Sequence, residues 1–450
     1  MGLGILAGLG LILSCSQPAT PIRAYQPAAQ QIIQHALQDS AAFARLAYLV
    51  DTFGPRLSGS ESLEKAIDWC LKELQATGLE NVHAEPVMVP HWVRGEEALT
   101  LLQPREARLA LLGLGGSVGT PPGGITAQAV VVRSFDDLKQ KADQVAGKIV
   151  VYNAPFTTYG KTVMYRYRGA IEAARYGAVA SLIRSVGPVS LNTPHTGGMA
   201  YADSIPRIPQ AAITIEAAEM LQRMYDRGQT PVLKLVMGAR TLPDAPSRNV
   251  IAELTGSEKP EEVVILSGHI DSWDVGQGAM DDASGCVASW EAVRLLKELG
   301  LRPRRTLRVV FWTNEENGTR GGRTYAREHA DELDRHVLAI ETDEGVFTPS
   351  GFGFSGSDDA FTILSAIGML LQPLQAGTIT RGGGGADISH LHRQGVPVAG
   401  LNVDGSHYFW YHHTEADMMD KLNRDDFNRC VAALAVMAYV VADTPEPLPR

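Results

Sequence analysis

The acids and histidines of this chain fall where short apolar runs end. His269 and Asp271 follow residues 263–267 (VVILS), Glu315 and Glu316 follow 306–312 (TLRVVFW), and Asp343 follows 337–340 (VLAI). Such short apolar, β-branched runs read as strands. In open α/β sheets, ligands gather at the carboxyl ends of strands. Three strand ends bearing an acid or histidine, with Asp281 and Asp282 just ahead of a helical stretch, therefore make one polar crater. Imidazoles and carboxylates offer nitrogen and oxygen donors to a divalent cation and also carry protons. Taken singly, each feature is bland. A Glu-Glu pair usually lies on a solvated helix face, and an Asp-Asp pair usually makes a turn or cap. His83, His195 and His329 read as ordinary core or surface residues.

The elements that must hold this crater alternate strand and helix. A continuous apolar strand such as 263–267 belongs in a sheet covered on both faces. Residues 282–299 form an amphipathic helix with Cys286, Trp290, Val293 and Leu296 on one stripe. Upstream, helices over 35–50 and 61–77 flank the breaker FGPRLSGS (53–60), and a strand follows at 82–89. The last part, 423–442, is helical, and its apolar stretch 431–442 is too short to span a bilayer. Between these lies a Gly/Pro-rich shift at 112–124. After it, strands at 127–132, 147–152, 178–184, 210–215 and 232–237 alternate with helices. This predicts a separate compact unit over 115–242, with 31–114 and 243–450 forming the rest of the folded chain.

The composition narrows the function classes. The 450 residues are 45% hydrophobic and 20% charged, which excludes wholesale disorder. A net charge of −10, spread along the chain, does not suit nucleic acid. Four cysteines exclude a disulfide scaffold, and Cys70, Cys286 and Cys430 read as buried free thiols.

In order, SGHIDSW (267–273), GAMDDASG (278–285), TNEENG (313–318), ETDEG (341–345) and YHHTEAD (411–417) resemble the co-catalytic zinc aminopeptidase family. The run HIDSWDVGQGAMDD is similar to its carboxypeptidase Q branch, and the resemblance extends over roughly residues 40–440. It implies an α/β zinc-exopeptidase fold, a three-layer sandwich around a mixed, largely parallel sheet. GKIVV (147–151), YGAVA (176–180) and IPQAAI (208–213) resemble an inserted protease-associated domain, here 115–242.

The resemblance also implies two zinc ions per chain, which sit about 3.5–4 Å apart in such sites. Asp281 would bridge them, His269 and Asp343 would complete one, and Glu316 and His413 the other. His412 would be a neighbour of the second ion without binding it. These three carboxylates would offset three of the four metal charges. Asp271, two residues from His269 on an extended segment, would hold the imidazole in its metal-binding tautomer. Glu315 would be the free carboxylate, acting as base to a water and then as acid to the leaving amine. The family carries a cis peptide after the bridging acid, here Asp281–Asp282. Asp387, in RGGGGADI (381–388), would either meet a substrate amine or sit in a plain turn. Tyr408, Trp410 and Tyr411 would either wall the pocket or pack the core.

The expected activity is hydrolysis of dipeptides or short peptides with free termini by a metal-activated water. A broader aminopeptidase, glutaminyl cyclisation on the same fold and a non-catalytic receptor-like relative are the alternatives. The complete ligand set and Glu315 speak against the last. Peptide is the expected partner, nucleic acid is not, and a homodimer is open. Residues 1–14 are uncharged and apolar, and Cys15 follows, so 1–15 resembles a bacterial lipoprotein signal with Cys15 lipidated. Residues 16–30 read as a tether. Export to the bacterial envelope follows, anchored through Cys15 or otherwise secreted.

Overall fold

The computed structural model describes residues 22–450. The expected signal and Cys15 lie outside the described residues. Of the expected tether over 16–30, the described part is helical, in Ile22–Tyr25 and the start of Gln26–Gln38. Tyr25, Ala29, Ile32 and Ile33 are buried there, so apolar spacing outweighed the Pro/Ala/Gln composition. The helix expected over 35–50 is two helices, Gln26–Gln38 and Ala41–Phe53. Asp39 breaks them apart by accepting the backbone N–H groups of Ala41 and Ala42.

The main sheet has eight strands. Its centre is four parallel strands in the order Arg305–Trp312, Lys259–His269, His336–Glu341 and Val398–Val403. Antiparallel strands Arg240–Leu254 and Glu80–Val93 extend one side. Pro349–Ser355, antiparallel, and Thr378–Arg381 extend the other. Val264 and Leu266 point into one apolar core, shared with helices Gln26–Gln38, Ala41–Phe53, Glu61–Ala76, Ser284–Glu298 and Arg424–Asp443. Val263 and Ile265 point into another, beneath Tyr325 and Ala326 of helix Arg320–Glu328 and beneath Leu391. The uninterrupted apolar run is thus required by helices on both faces. Helix Arg424–Asp443 is buried over nearly all its length. Among the described residues, no helix is long and apolar enough to cross a membrane.

A second eight-stranded sheet spans a separate unit, in the order Ala107–Leu109, Glu97–Gln103, Val232–Met237, Ile125–Val132, Ile149–Tyr152, Ala180–Arg184, Gln210–Ile213 and Leu111–Gly113. The unit begins near residue 97, earlier than the expected 115. The Gly/Pro-rich stretch at 112–124 is a loop within it, and the crossing between units occurs at 94–96 and 238–239. There the two connections run side by side. Gly238 N–H donates to the Glu96 carbonyl at 2.8 Å, and Gly95, at φ +70°, leaves no room for a Cβ against the Gly238 backbone. Two tight backbone crossings place the second unit over the carboxyl ends of the main sheet.

Candidate active site

Strand order brings the motif residues together. Lys259–His269 ends on His269, its parallel neighbour Arg305–Trp312 leads into Glu315 and Glu316, and His336–Glu341 leads into Asp343. Parallel strands share a carboxyl edge, so residues far apart in sequence project from one rim. His269 Nε2 lies 3.1 Å from Asp281 Oδ1 and 3.1 Å from Asp343 Oδ1. His413 Nε2 lies 3.1 Å from Glu316 Oε2 and 3.4 Å from Asp281 Oδ2. Asp281 therefore presents one oxygen to each histidine. His412 Nε2 is farther, 3.7 Å from Asp281 Oδ2, and its ring stacks on His413 at 3.5 Å.

These atoms fit a cation. His269, Asp281 and Asp343 each offer a donor atom within 4.8 Å of the others, and so do Asp281, His412 and His413. Tetrahedral ligands about 2.1 Å from a zinc ion lie about 3.4 Å apart, close to the separations here. Asp281 Oδ2 is buried without a hydrogen-bond partner. Burial, then the charges of Asp343, Asp281 and Asp271, holds the Glu315 carboxyl well above its usual range. Burial and then Asp281 do the same to Glu316. Burial disfavours a charged His413 ring, and Arg166 adds to this, which leaves a neutral imidazole as a metal ligand requires. So many buried acids repel one another unless positive charge sits among them.

The supporting shell is more extensive than the motifs suggest. His269 Nδ1 faces a carbonyl 2.9 Å away, and that carbonyl is the backbone of Asp271. The Asp271 carboxylate is 3.9 Å from the ring. It instead accepts the N–H groups of Glu315 at 3.0 Å and Glu316 at 3.4 Å. The expected tautomer lock thus comes from the Asp271 main chain, while its side chain sets the Glu315–Glu316 turn. Asp282, across a cis peptide from Asp281, accepts the N–H groups of His269 at 3.0 Å and Gly285 at 3.1 Å. Asp417 accepts those of Ala279, Met280 and Asp281. Buried Arg56 donates to the carbonyls of Ile270, Gly54, Gln277 and Gly278. Neither Asp417 nor Arg56 carried a role in the sequence reading. The only available signal was their place at the end of one motif and inside a Gly/Pro loop.

Above these groups lies a cavity of about 310 Å³. Glu315, Glu316, Asp281, Asp343 and His413 line it, with Tyr408 and Phe409 as aromatic walls. Trp410 packs on His407 and Tyr411 lies beneath Lys421, so neither is among the residues lining it. Asp387 is also not among them. It is fully buried, its backbone N–H donates to Glu341, and neither carboxylate oxygen has a partner. The Gly-rich loop serves Glu341, since a Cβ on Gly385 would fall 2.0 Å from the Glu341 carboxylate. The expected contact between Asp387 and a substrate amine is therefore not formed at the cavity wall. The second unit also reaches the site, which the sequence reading did not anticipate. Tyr159 and Arg166 line the same cavity. The Thr196 carbonyl faces His413 Nδ1 at 3.3 Å, and its N–H donates to the His413 carbonyl at 2.9 Å. This clasp holds His413 at φ +60°, a strained conformation for a residue with a side chain.

Comparison with known proteins agrees with this geometry. Residues 249–438 match the sequence model of peptidase family M28. Carboxypeptidase Q of Mus musculus is 52% identical over 429 residues, covering 95% of this chain and 91% of the mouse protein. Carboxypeptidase Q of Homo sapiens is 52% identical over 408 residues, 91% of this chain and 86% of the human protein. The crystal structure of a peptidase M28 precursor from Shewanella amazonensis superposes with a TM-score of 0.92 at 37% identity, covering 95% of this chain and 99% of that one. A zinc aminopeptidase from Bacillus subtilis shares the fold, with a TM-score of 0.69 at 20% identity over 89% of this chain and 94% of that one. With the ligand-type residues gathered at one sheet edge and half of all positions shared with carboxypeptidase Q over nearly the whole chain, this protein belongs to peptidase family M28, in its carboxypeptidase Q branch.

Proposed function

We propose that this protein is a zinc metallo-exopeptidase that hydrolyses dipeptides and other short peptides with free termini. One observation carries the reading: Asp281 presents one carboxylate oxygen to His269 and the other to His413, with Asp343 and Glu316 on the far sides. This supports a reading with two metal positions, His269–Asp281–Asp343 and Asp281–Glu316–His413, with Asp281 common to both. Zinc held there would supply Lewis acidity for a water and for the scissile carbonyl.

The chain's own residues do the rest. Glu315 lines the cavity beside both positions and belongs to neither, so it is free to take a proton from the water and pass it to the leaving amine. Asp271 orients Glu315 and Glu316 through their N–H groups, and the His269 ring through its own carbonyl. The cavity, at about 310 Å³, is at the small end for ligand sites and favours short substrates. The alternating strands and helices of the second unit support its reading as a protease-associated domain.

A panel of dipeptides, tripeptides and end-blocked peptides tests the reading with wild type and Glu315→Gln. Wild type should cleave free-ended short peptides. The variant should lose at least about 100-fold in kcat while keeping its zinc. Near wild-type turnover in the variant would remove Glu315 from the mechanism. Lipid anchoring through Cys15 and export form part of the same proposal and rest on residues 1–15.

A further inference from the structure

One arginine ties the two units together, and the path of its contacts ends on His413. Arg94 lies at the crossing, directly after strand Glu80–Val93, and its side chain is 10% exposed. Toward the main unit it forms a bidentate pair with Asp274, Nε donating to Oδ2 at 2.8 Å and Nη2 donating to Oδ1. Toward the second unit Nη1 donates to the Gly113 carbonyl, Nη2 lies 3.4 Å from the Thr196 hydroxyl, and the Glu97 carboxylate stands 3.7 Å away. Among the described residues, every ion pair that joins the two units runs through Arg94. The planar guanidinium fork suits this place, because its fixed N–H groups face partners on two sides at once.

A short path leads from there to the site. The Gly113 carbonyl also accepts the Thr196 hydroxyl at 2.8 Å, so the guanidinium and this carbonyl together fix Thr196. Thr196 in turn clasps His413 through its own N–H and carbonyl. The carbonyl draws the His413 proton to Nδ1 and leaves Nε2 free to face Glu316 and Asp281. Asp274 belongs to the same joint. It follows Trp273, whose ring lies 5.6 Å from that of His413 and leaves no room for a Cβ on Gly115 of the second unit. His269 has no such dependence, since its Nδ1 faces the Asp271 carbonyl within the main unit. The two histidines are thus held by different units.

We infer that Arg94 is a positioning residue that couples docking of the second unit to the Asp281–Glu316–His413 position and not to the His269–Asp281–Asp343 position. This rests on the two-metal reading above and goes beyond it. With Arg94 in place, the second unit supplies the outer bond that keeps His413 at φ +60°. Without it the units lose their shared ion pair, Thr196 loses part of its hold, and His413 relaxes away from Glu316. The position built on His269 keeps its own support. A peptidase built this way has its full metal set only while the second unit is closed over the cavity.

The test follows zinc release by chelator titration of full-length wild type, Arg94→Met and Arg94→Lys, with near-ultraviolet circular dichroism on each. Wild type should release two zinc ions per chain in two steps. Arg94→Met should weaken one step about 10-fold, the low end for disturbing a group hydrogen-bonded to a metal-bound histidine, and leave the other within about 2-fold. Arg94→Lys keeps the charge beside Asp274 but not the fork, and should fall between the two. His413→Ala decides whether the effect runs through His413. Arg94→Met added to it should leave the remaining zinc unchanged, whereas a general loosening would weaken that zinc as well. Equal weakening of both steps, weakening of neither, or a further loss in the His413→Ala background would each overturn the proposal and leave Arg94 as an ion pair between units. If Arg94→Met does not fold, Asp274→Asn carries the same comparison, because it removes the anchor charge and leaves the guanidinium on Gly113. A wild type that binds a single zinc would instead overturn the two-metal reading, and this proposal with it.

Discussion

Replacing Arg56 with Met removes the guanidinium and keeps most of the buried stem. In the native protein that guanidinium donates at 2.8 Å to Ile270, 2.7 Å to Gly54, 2.7 Å to Gln277 and 2.9 Å to Gly278. All are backbone carbonyls; those of Ile270 and Gly278 are buried with Arg56, while Gly54 and Gln277 are half-buried, which keeps the cost of each lost bond at the low end. A buried acceptor left unmade costs about 1–3 kcal/mol. Four at the low end cost about 4 kcal/mol. Relief from burying the guanidinium returns part of this, since desolvation disfavours the charge of Arg56. The net loss is about 3 kcal/mol. With an m value of about 3 kcal/mol/M, the urea midpoint should fall by about 1 M. The bonded carbonyls adjoin His269 and Asp271 on one side and precede Asp281 on the other, so zinc affinity should weaken as well. Arg56→Lys should lie between the two, because one ammonium cannot reach four divergent carbonyls. A Met variant whose midpoint stays within about 0.2 M of wild type would show that these carbonyls find other partners, and the staple would lose its role.

Asp281→Ala removes the carboxylate that faces both His269 and His413, so zinc per chain by elemental analysis should fall together with activity; unchanged zinc would place the shared ligand elsewhere. Glu85 is half-buried, which by itself would raise its carboxyl, yet its hydrogen bond to His329 and its ion pair with His83 hold it down at about 2. A depressed folded pKa gives stability that is present above the unfolded value and lost as pH falls, so wild type should lose melting temperature between about pH 4.3 and 2 more steeply than Glu85→Gln. Parallel curves would remove Glu85 as a cause. Cys15→Ala should move the enzyme from the membrane to the soluble fraction with kcat unchanged; wild type found soluble, with unmodified Cys15 by mass spectrometry, would remove the anchor.

The order of apolar runs and acids was enough to specify three of the four parallel strands at the centre of the main sheet and the edge where they end; the fourth, Val398–Val403, was not read from the sequence. Strands 263–267, 306–312 and 337–340 read directly as buried strands, because a sheet covered on both faces demands apolar residues without alternation. Each motif sits immediately after its strand, so local sequence already placed His269, Glu315, Glu316 and Asp343 on one rim. What local sequence does not encode is where distant loops return. The Gly/Pro-rich stretch at 112–124 looked like a domain boundary, yet it is an internal loop, and the true crossing is two glycines packed backbone to backbone at Gly95 and Gly238. Asp271 had the right type and spacing to lock His269, but side-chain direction in three dimensions gave that task to its carbonyl. Asp387 looked available, but the Glu341 carboxylate draws its backbone inward and buries it. Arg56, Arg166 and Thr196 lie 247 or fewer residues from their site partners only along the chain; in space they touch them. Residue type and order along strands determined the chemistry available to this protein. Only tertiary packing decided which main-chain groups hold it in place and that a second unit closes over it, since those depend on long-range contacts with no local periodicity.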